Sequence, residues 1–263
     1  MLGLGVAASK VSGGFSPGGL FTGGSVGAWY DPSDISTLFQ DSAGTIPVTA
    51  DGDPVGKILD KSGNGKHLIQ GTSASRPVYK IDGSTGKPYL WTNDSDAWMS
   101  VGGFDLSGTE NATIFSGLMK DSSAAFAVFC ELSANSGANT GAFTLTAPIS
   151  VATNLGFTSK GTVAQAATRS GVSDNISCNV VCIGNTGFSS PSNAEIRVNN
   201  LATVSVVADQ GASKYGNHTF YLFRRGGTTA QFAGRMYQLI VIGKAASEAE
   251  IAETRAYIQS KVI

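Results

Sequence analysis

Short apolar stretches separated by clusters of Gly, Asn and Ser dominate the chain from residue 112 onward. They are rich in Val, Ile, Phe and Thr, and few stretches with helical spacing intervene, so parallel strand–helix–strand units are not expected. The pattern predicts an antiparallel sandwich or jelly roll. The candidate strands are 112–119, 124–132, 141–147, 178–184, 194–198, 202–208, 218–225 and 235–242.

Turn residues divide the chain before residue 112 into short segments, as in an antiparallel meander. The turns are Asp51-Gly52, Ser62-Gly63-Asn64-Gly65 and Asp82-Gly83. Between residues 33 and 39 the pattern predicts one short helix, because Ile35, Leu38 and Phe39 share a face and Ser33 suits an N-cap.

The end of the chain predicts a second short helix. Ser247 and Glu250 form the capping box Ser-x-x-Glu, and Ile251, Thr254 and Ile258 follow on one face. We expect this helix to pack against the sandwich.

The first 28 residues have a different character, with nine glycines and irregularly spaced apolar residues. Such a segment loses much entropy on ordering and cannot bury its own side chains. We predict an extended N-terminal arm at 1–28, docked onto a neighbouring subunit, and a sandwich domain at 29–263. The alternative is an arm folded back on its own domain. The predicted anchors are Leu2, Leu4, Val6, Phe15, Leu20 and Phe21.

Two segments carry a family resemblance. Trp29-Tyr30-Asp31-Pro32-Ser33-Asp34, with Leu59-Asp60-Lys61-Ser62-Gly63-Asn64-Gly65-Lys66-His67-Leu68, resembles the opening of concanavalin A-like (laminin-G-like) sandwich domains in structural proteins of tailed bacteriophages. The segment Phe232-Ala233-Gly234-Arg235-Met236-Tyr237-Gln238-Leu239-Ile240-Val241 resembles their closing segment. The likeness implies an all-β, antiparallel two-sheet jelly roll of the concanavalin A-like kind, within a virion structural protein.

Charge argues against two classes of partner. Charged residues make up 14% of the chain and the net charge is −1, so a basic surface for nucleic acid or membrane is not expected. No apolar run approaches the ~18 residues that a membrane-spanning helix needs. The first cation is Lys10, so the start of the chain does not resemble a secretory signal.

The three cysteines predict buried free thiols. Cys178 and Cys182 in one strand would lie about 13 Å apart, beyond disulfide reach, and Cys130 is distant in sequence. Free thiols predict assembly inside a cell without disulfides. Together with the resemblance to phage structural proteins, this implies assembly in the host cytoplasm and localisation in the virion.

Catalytic motifs are missing from the sequence. Glucanases of the concanavalin A-like fold use Glu-x-Asp-x-Glu on a strand, and none of the six glutamates occurs in that pattern. The Gly-x-Ser-x-Gly matches at 14–18 and 23–27 lack a preceding strand. We therefore predict that the protein is not an enzyme and has no catalytic residue.

We expect the protein to hold no metal and no cofactor. Side-chain oxygens in the loops make calcium binding an alternative. The spacing of an EF-hand is missing, and Asp/Asn-Gly pairs form turns. The donors are Asp51, Asp53, Asp60, Asn64, Asp94 and Asp96.

A cluster of aromatic and polar residues predicts a glycan site. A sugar lays its C–H face on an aromatic ring while carboxylates and amides bond its hydroxyls. The alternative is that the tryptophans belong to the core. The candidate residues are Trp91, Asn93, Asp94, Asp96 and Trp98.

Two functions follow from these observations. The first is a non-enzymatic bacteriophage virion structural protein, a head decoration, spike, tail or fibre component anchored by its arm to other virion proteins, and a homo-oligomer. The alternative is a lectin-like module that recognises host surface polysaccharide. Exposure of Trp91 or Trp98 beside the loop Asp94–Asp96 would favour the second.

Overall fold

The computed structural model describes residues 14–92, 96–121, 126–187, 193–211 and 213–262. In this part of the chain the backbone forms 17 strands, and a 15-residue helix, α1 (Glu248–Val262), follows them. The strands are β1 (Gly27–Tyr30), β2 (Leu38–Phe39), β3 (Lys57–Ile58), β4 (Leu68–Ile69), β5 (Val78–Ile81), β6 (Pro88–Thr92), β7 (Met99–Asp105), β8 (Asn111–Lys120), β9 (Phe126–Leu132), β10 (Ala142–Ile149), β11 (Leu155–Lys160), β12 (Ala164–Arg169), β13 (Cys178–Asn185), β14 (Asn193–Val198), β15 (Val204–Val207), β16 (Asn217–Leu222) and β17 (Gly234–Ile242).

The strands build two antiparallel sheets that pack as a sandwich. One sheet has eight strands in the order β15-β14-β13-β8-β17-β6-β5, with β1 also paired to β17. The other has nine strands in the order β12-β11-β10-β9-β16-β7-β4-β3-β2. This confirms the predicted all-β sandwich and its C-terminal helix, and every strand predicted after residue 112 is present within a few residues of its expected bounds.

Two apolar layers hold the fold together. The main core lies between the sheets, where Phe104, Phe129 and Phe220 are at most 1% exposed. A second layer covers the outer face of the eight-stranded sheet, where α1 buries Ile251 and Ile258. Strand β8 serves both layers, which explains why almost every one of its residues is buried.

The capping box at the start of α1 forms as predicted. Ser247 Oγ accepts a hydrogen bond from the Glu250 N–H at 3.3 Å, and the Glu250 carboxylate accepts one from the Ser247 N–H at 2.9 Å. Among the described residues, no helix combines the length and the apolar character needed to cross a membrane.

The helix predicted at residues 33–39 is wrong. A 3-10 turn at Ile35–Thr37 leads directly into β2. Pairing with β3 recruits Leu38 and Phe39 into the nine-stranded sheet, and these tertiary hydrogen bonds outweigh the local helical pattern.

The segment before β1 packs on its own domain where the structure describes it. A 3-10 helix spans Pro17–Gly24, and Leu20 and Phe21 are 1% and 8% exposed in the second apolar layer. Phe15 packs its ring edge-to-face on Tyr257 of α1 at 6.2 Å. This arrangement corresponds to the alternative of an arm folded back. Leu2, Leu4 and Val6 lie outside the described residues, so docking onto another subunit and the division at 28/29 stay predictions.

The three cysteines are buried free thiols, as predicted. Burial raises the pKa of the Cys178 thiol to about 11, so this thiol is protonated at neutral pH and is a poor nucleophile.

Candidate functional site

The predicted glycan residues fall into two separate places on the sandwich. Trp98 precedes β7 of the nine-stranded sheet, whereas Trp91 lies in β6 of the eight-stranded sheet. Asp96 is near Trp98, and Asn93 and Asp94 lie outside the described residues. The structure therefore brings together only part of the predicted set.

Trp98 forms an aromatic pair with Tyr221, a residue that the sequence pattern did not indicate. Their ring centroids are 6.0 Å apart and the planes are inclined by 39°. Tyr221 belongs to β16, which pairs with β7, so the sheet register sets this neighbour. Both side chains are half-buried, which leaves part of each ring open to solvent.

An ion pair lies beside these rings. Arg224 Nη1 is 3.0 Å from Asp96 Oδ1, and the Asp96 side chain is 72% exposed. Arg224 Nη2 also donates to the Thr228 carbonyl at 2.9 Å, while its buried Nε has no partner among the described residues. We call Asp96, Trp98, Tyr221 and Arg224 the Trp98 site.

The backbone around the Trp98 site is held firmly. The Trp98 N–H donates to the Ser75 carbonyl at 3.0 Å, and the Trp98 carbonyl accepts from Gln70 Nε2 at 2.8 Å. Gly227, at a φ of +70°, lies so close to the indole that a Cβ there would be 2.9 Å from Trp98 Cζ2. Two aromatic surfaces, a carboxylate and a guanidinium are thus presented together in a fixed geometry, a combination suited to a hydroxylated, partly apolar ligand.

Trp91 belongs to a network of hydrogen bonds and ion pairs on the eight-stranded sheet. Its Nε1–H donates to Asp121 Oδ2 at 3.2 Å on the outer face of the eight-stranded sheet. Burial raises the pKa of the Asp121 carboxyl, and the hydrogen bond from Trp91 opposes that shift. Arg235 lies over the neighbouring Tyr89 ring at 4.7 Å and bonds Asp82 Oδ2 at 2.6 Å. The partners of Trp91 thus belong to a network within the sheet.

Two of the loop carboxylates considered for calcium, Asp53 and Asp60, fix turns. Asp60, 8% exposed, accepts hydrogen bonds from the N–H groups of Trp29, Ser62 and Lys66 at 2.8 to 2.9 Å. Asp53 Oδ2 likewise accepts from two backbone N–H groups. Among the described residues, no three of His, Cys, Asp and Glu lie in a group that could hold a metal ion.

A cavity that the sequence did not indicate lies beside α1. It has a volume of about 700 Å³, and we call it the helix groove. Its polar lining comes from three segments that are distant in sequence, so no local motif could have revealed it. The polar lining residues are Ser177, Asn179, Asn199, Asn200, Arg255 and Gln259.

No protein-family model matches the chain, and no curated protein matches it. Solved structures share its fold. The binding domain of botulinum neurotoxin serotype G matches with a TM-score of 0.58 and 11% identity over 77% of this chain and 49% of that one. The binding domain of botulinum neurotoxin DC, solved in complex with SialylT, matches with a TM-score of 0.55 and 13% identity over 86% and 52%.

A third match, with a TM-score of 0.54 and 13% identity over 77% of this chain and 49% of that one, is a structure of botulinum neurotoxin type C. Cell entry of that toxin depends on interaction with two ganglioside molecules. The chain spans about half the length of these binding domains. At such identities the likeness shows the fold, a two-sheet sandwich of the kind found in binding domains of these toxins.

Proposed function

We propose that this protein is a non-enzymatic carbohydrate-binding protein whose Trp98 site binds a glycan. The observation that carries the proposal is the half-exposed Trp98–Tyr221 pair beside the ion pair between the exposed Asp96 and the mostly buried Arg224. The solved structures of similar fold add support, because one binding domain was solved in complex with SialylT and the cell entry of another toxin depends on interaction with two ganglioside molecules.

The chemistry of the site fits a sugar ring. The C–H face of a pyranose would pack on the open part of the aromatic pair, which supplies apolar contact at small entropic cost. Asp96 would accept hydrogen bonds from two neighbouring hydroxyls, and charge-assisted bonds of this kind are strong. Arg224 would hold Asp96 in place, because its guanidinium is itself fixed by the Thr228 carbonyl.

The environments of several glutamates favour binding without catalysis. Glu131 is fully buried, with its carboxylate 3.0 Å from Arg225 Nε. Glu250 bonds Lys244 at 2.6 Å, and Glu248 receives two bonds of 2.8 Å from Arg197. These carboxylates are engaged in structural pairs, whereas a glycosidase needs two free carboxylates ~5–10 Å apart.

Isothermal titration calorimetry tests the proposal, with a panel of soluble oligosaccharides as the probe. We expect binding to weaken about tenfold in Trp98→Ala and in Asp96→Ala, because each change removes about 1.4 kcal/mol of contact. Trp91→Phe and Glu253→Ala serve as controls, since they alter a distant tryptophan and an exposed acid on α1.

Equal binding by the wild type, Trp98→Ala and Asp96→Ala would contradict the assignment of the site. The Asp96→Ala variant keeps the test valid if Trp98→Ala fails to fold, because Asp96 is mostly exposed.

The virion structural role stays a prediction from the sequence resemblance, together with its virion partners, its homo-oligomeric state and its localisation. It is compatible with glycan binding, because one domain can be both anchored and adhesive. Co-sedimentation of the full chain with particles that lack this subunit would test it, and failure to bind would remove it.

A further inference from the structure

Lys120 is a buried amine in the main core. Its side chain is 1% exposed, whereas the other ion-paired lysines among the described residues are 22% to 33% exposed. Lys120 lies on the same face of β8 as Ile114 and Leu118, so its side chain points between the two sheets. A lysine is almost never buried to this degree unless it is paired.

The partner of Lys120 is a carboxylate from a distant turn. Lys120 Nζ contacts Asp174 Oδ1 directly, although the two residues are 54 positions apart in the chain. Asp174 lies between β12 and β13, where the flanking Val172 and Cys178 are 4% and 1% exposed in the main core. The Asn175 N–H also donates to the Lys120 carbonyl at 2.8 Å. These contacts fix the Asp174 carboxyl group against the amine.

The surroundings of this pair are poorly solvated. Burial raises the pKa of the Asp121 carboxyl, which follows Lys120 in the chain, and the charge of Asp174 raises it further. Burial also raises the pKa of the Cys178 thiol to about 11, while the charge of Lys120 opposes that shift. Because burial disfavours charged groups, these surroundings favour a neutral product over two separate charges.

We propose that Lys120 and Asp174 become joined by an isopeptide bond between Nζ and Cγ. The bond replaces two charges by one neutral amide, and the fixed contact between the two groups takes the place of a bimolecular encounter. It links β8 covalently to the turn before β13 and closes a loop of the chain, which stabilises a fold by restricting the unfolded chain. The inference does not rest on the proposed function.

The condensation is balanced and needs no other reactant. A proton first passes from the Lys120 ammonium to the Asp174 carboxylate, which gives an amine and an acid. The Nζ atom then attacks Cγ, a C–N bond forms, and the C–O bond to one carboxyl oxygen breaks. That oxygen leaves as water with two of the three ammonium protons, and the third proton stays on the amide nitrogen. The Asp174 side chain is 29% exposed, so the water is released at the surface.

Intact-mass spectrometry of the denatured full chain tests the inference. We expect the wild type to be lighter than its sequence requires by the mass of one water. After digestion with trypsin, tandem mass spectrometry should find the peptide that contains Lys120 joined to the peptide that contains Asp174. Cleavage after Lys120 should be lost, because the amide removes the charge that trypsin recognises.

Two variants should show the full mass of their own sequences. Lys120→Arg keeps the positive charge but lacks the primary amine, and Asp174→Ala lacks the carboxyl group. Lys160→Arg is the matched control and should keep the water loss, since Lys160 is 8% exposed and donates to the Gly137 carbonyl at 2.6 Å.

A wild-type mass equal to that of the sequence would show an ordinary ion pair and would overturn the inference. A water loss that persists in Lys120→Arg or in Asp174→Ala would also overturn it, because the loss would then come from another part of the chain. These readings hold even if a variant fails to fold, since the mass is measured on denatured protein.

Discussion

Asp31 connects the two ends of the chain through a single buried carboxylate. It is 2% exposed and accepts hydrogen bonds from the Ser33 N–H at 2.9 Å, the Tyr257 hydroxyl at 3.0 Å and the Gln238 amide. Lys61 and Lys261 lie 3.4 and 3.9 Å away. The sequence marked Asp31 as part of the opening motif. Its hydrogen-bond partners are up to 226 residues away, so the local pattern could not reveal them.

Asp31→Ala should be strongly destabilising, because it leaves buried donors of Tyr257 and Gln238 without an acceptor. We expect a loss of about 3 kcal/mol and a fall in Tm of roughly 6–10 °C. Thermal unfolding followed by circular dichroism measures this, with Glu253→Ala as the exposed control. A fall in Tm no larger than that of the control would show that the network contributes little.

Helix α1 rests on a glycine of the central strand. A Cβ at Gly117 would lie 2.7 Å from Val262 Cγ2 and 3.0 Å from Ile258 Cγ2. The capping box allowed α1 to be predicted, because its residues are adjacent in sequence. The short strands β2, β3 and β4 were not predicted, because two residues carry no periodicity and their pairing is set by the sheet.

Gly117→Val should lift α1 from the sheet while the core between the sheets remains folded. Overpacking of this kind costs about 1–3 kcal/mol. Limited proteolysis should show faster cleavage within α1, and Gly102→Val is the control, since a Cβ at that strand glycine meets nothing within 4 Å. Equal cleavage rates for the two variants would contradict the proposed contact.

At the scale of the whole molecule, the two outer faces of the sandwich are used differently. The eight-stranded sheet is covered by α1 and the segment before β1, and the Trp98 site lies on the side of the nine-stranded sheet. The strand pattern after residue 112 predicted the sandwich because apolar, β-branched stretches bounded by turn residues are local features of the sequence. The helix groove joins residues 176–179, 199–200 and 252–259, and only the folded chain brings them together.

Two carboxylates beside Arg235 should give opposite pH dependences of stability. Hydrogen bonds from Ser84, Thr85 and Arg235 hold the pKa of Asp82 well below its usual range, so its contribution is present above about pH 4 and is lost as the pH falls through the folded-state pKa. Burial raises the pKa of Asp121, so its ionised form costs stability, and that cost disappears as the pH falls through its pKa.

Asp82→Asn should therefore lower Tm at neutral pH, and Asp121→Asn should raise it, with both differences shrinking in acid. Differential scanning fluorimetry from neutral to acid pH would measure the two differences in Tm. If both variants changed Tm in the same direction at neutral pH, the causes assigned to the two pKa shifts would be contradicted.

The most direct test of the central claim is a glycan array probed with the wild-type chain, Asp96→Ala and Glu253→Ala. The account predicts a defined set of bound glycans, lost or strongly weakened in Asp96→Ala and retained in Glu253→Ala. Binding that is unchanged in Asp96→Ala, or a wild-type chain that binds no glycan, would contradict it.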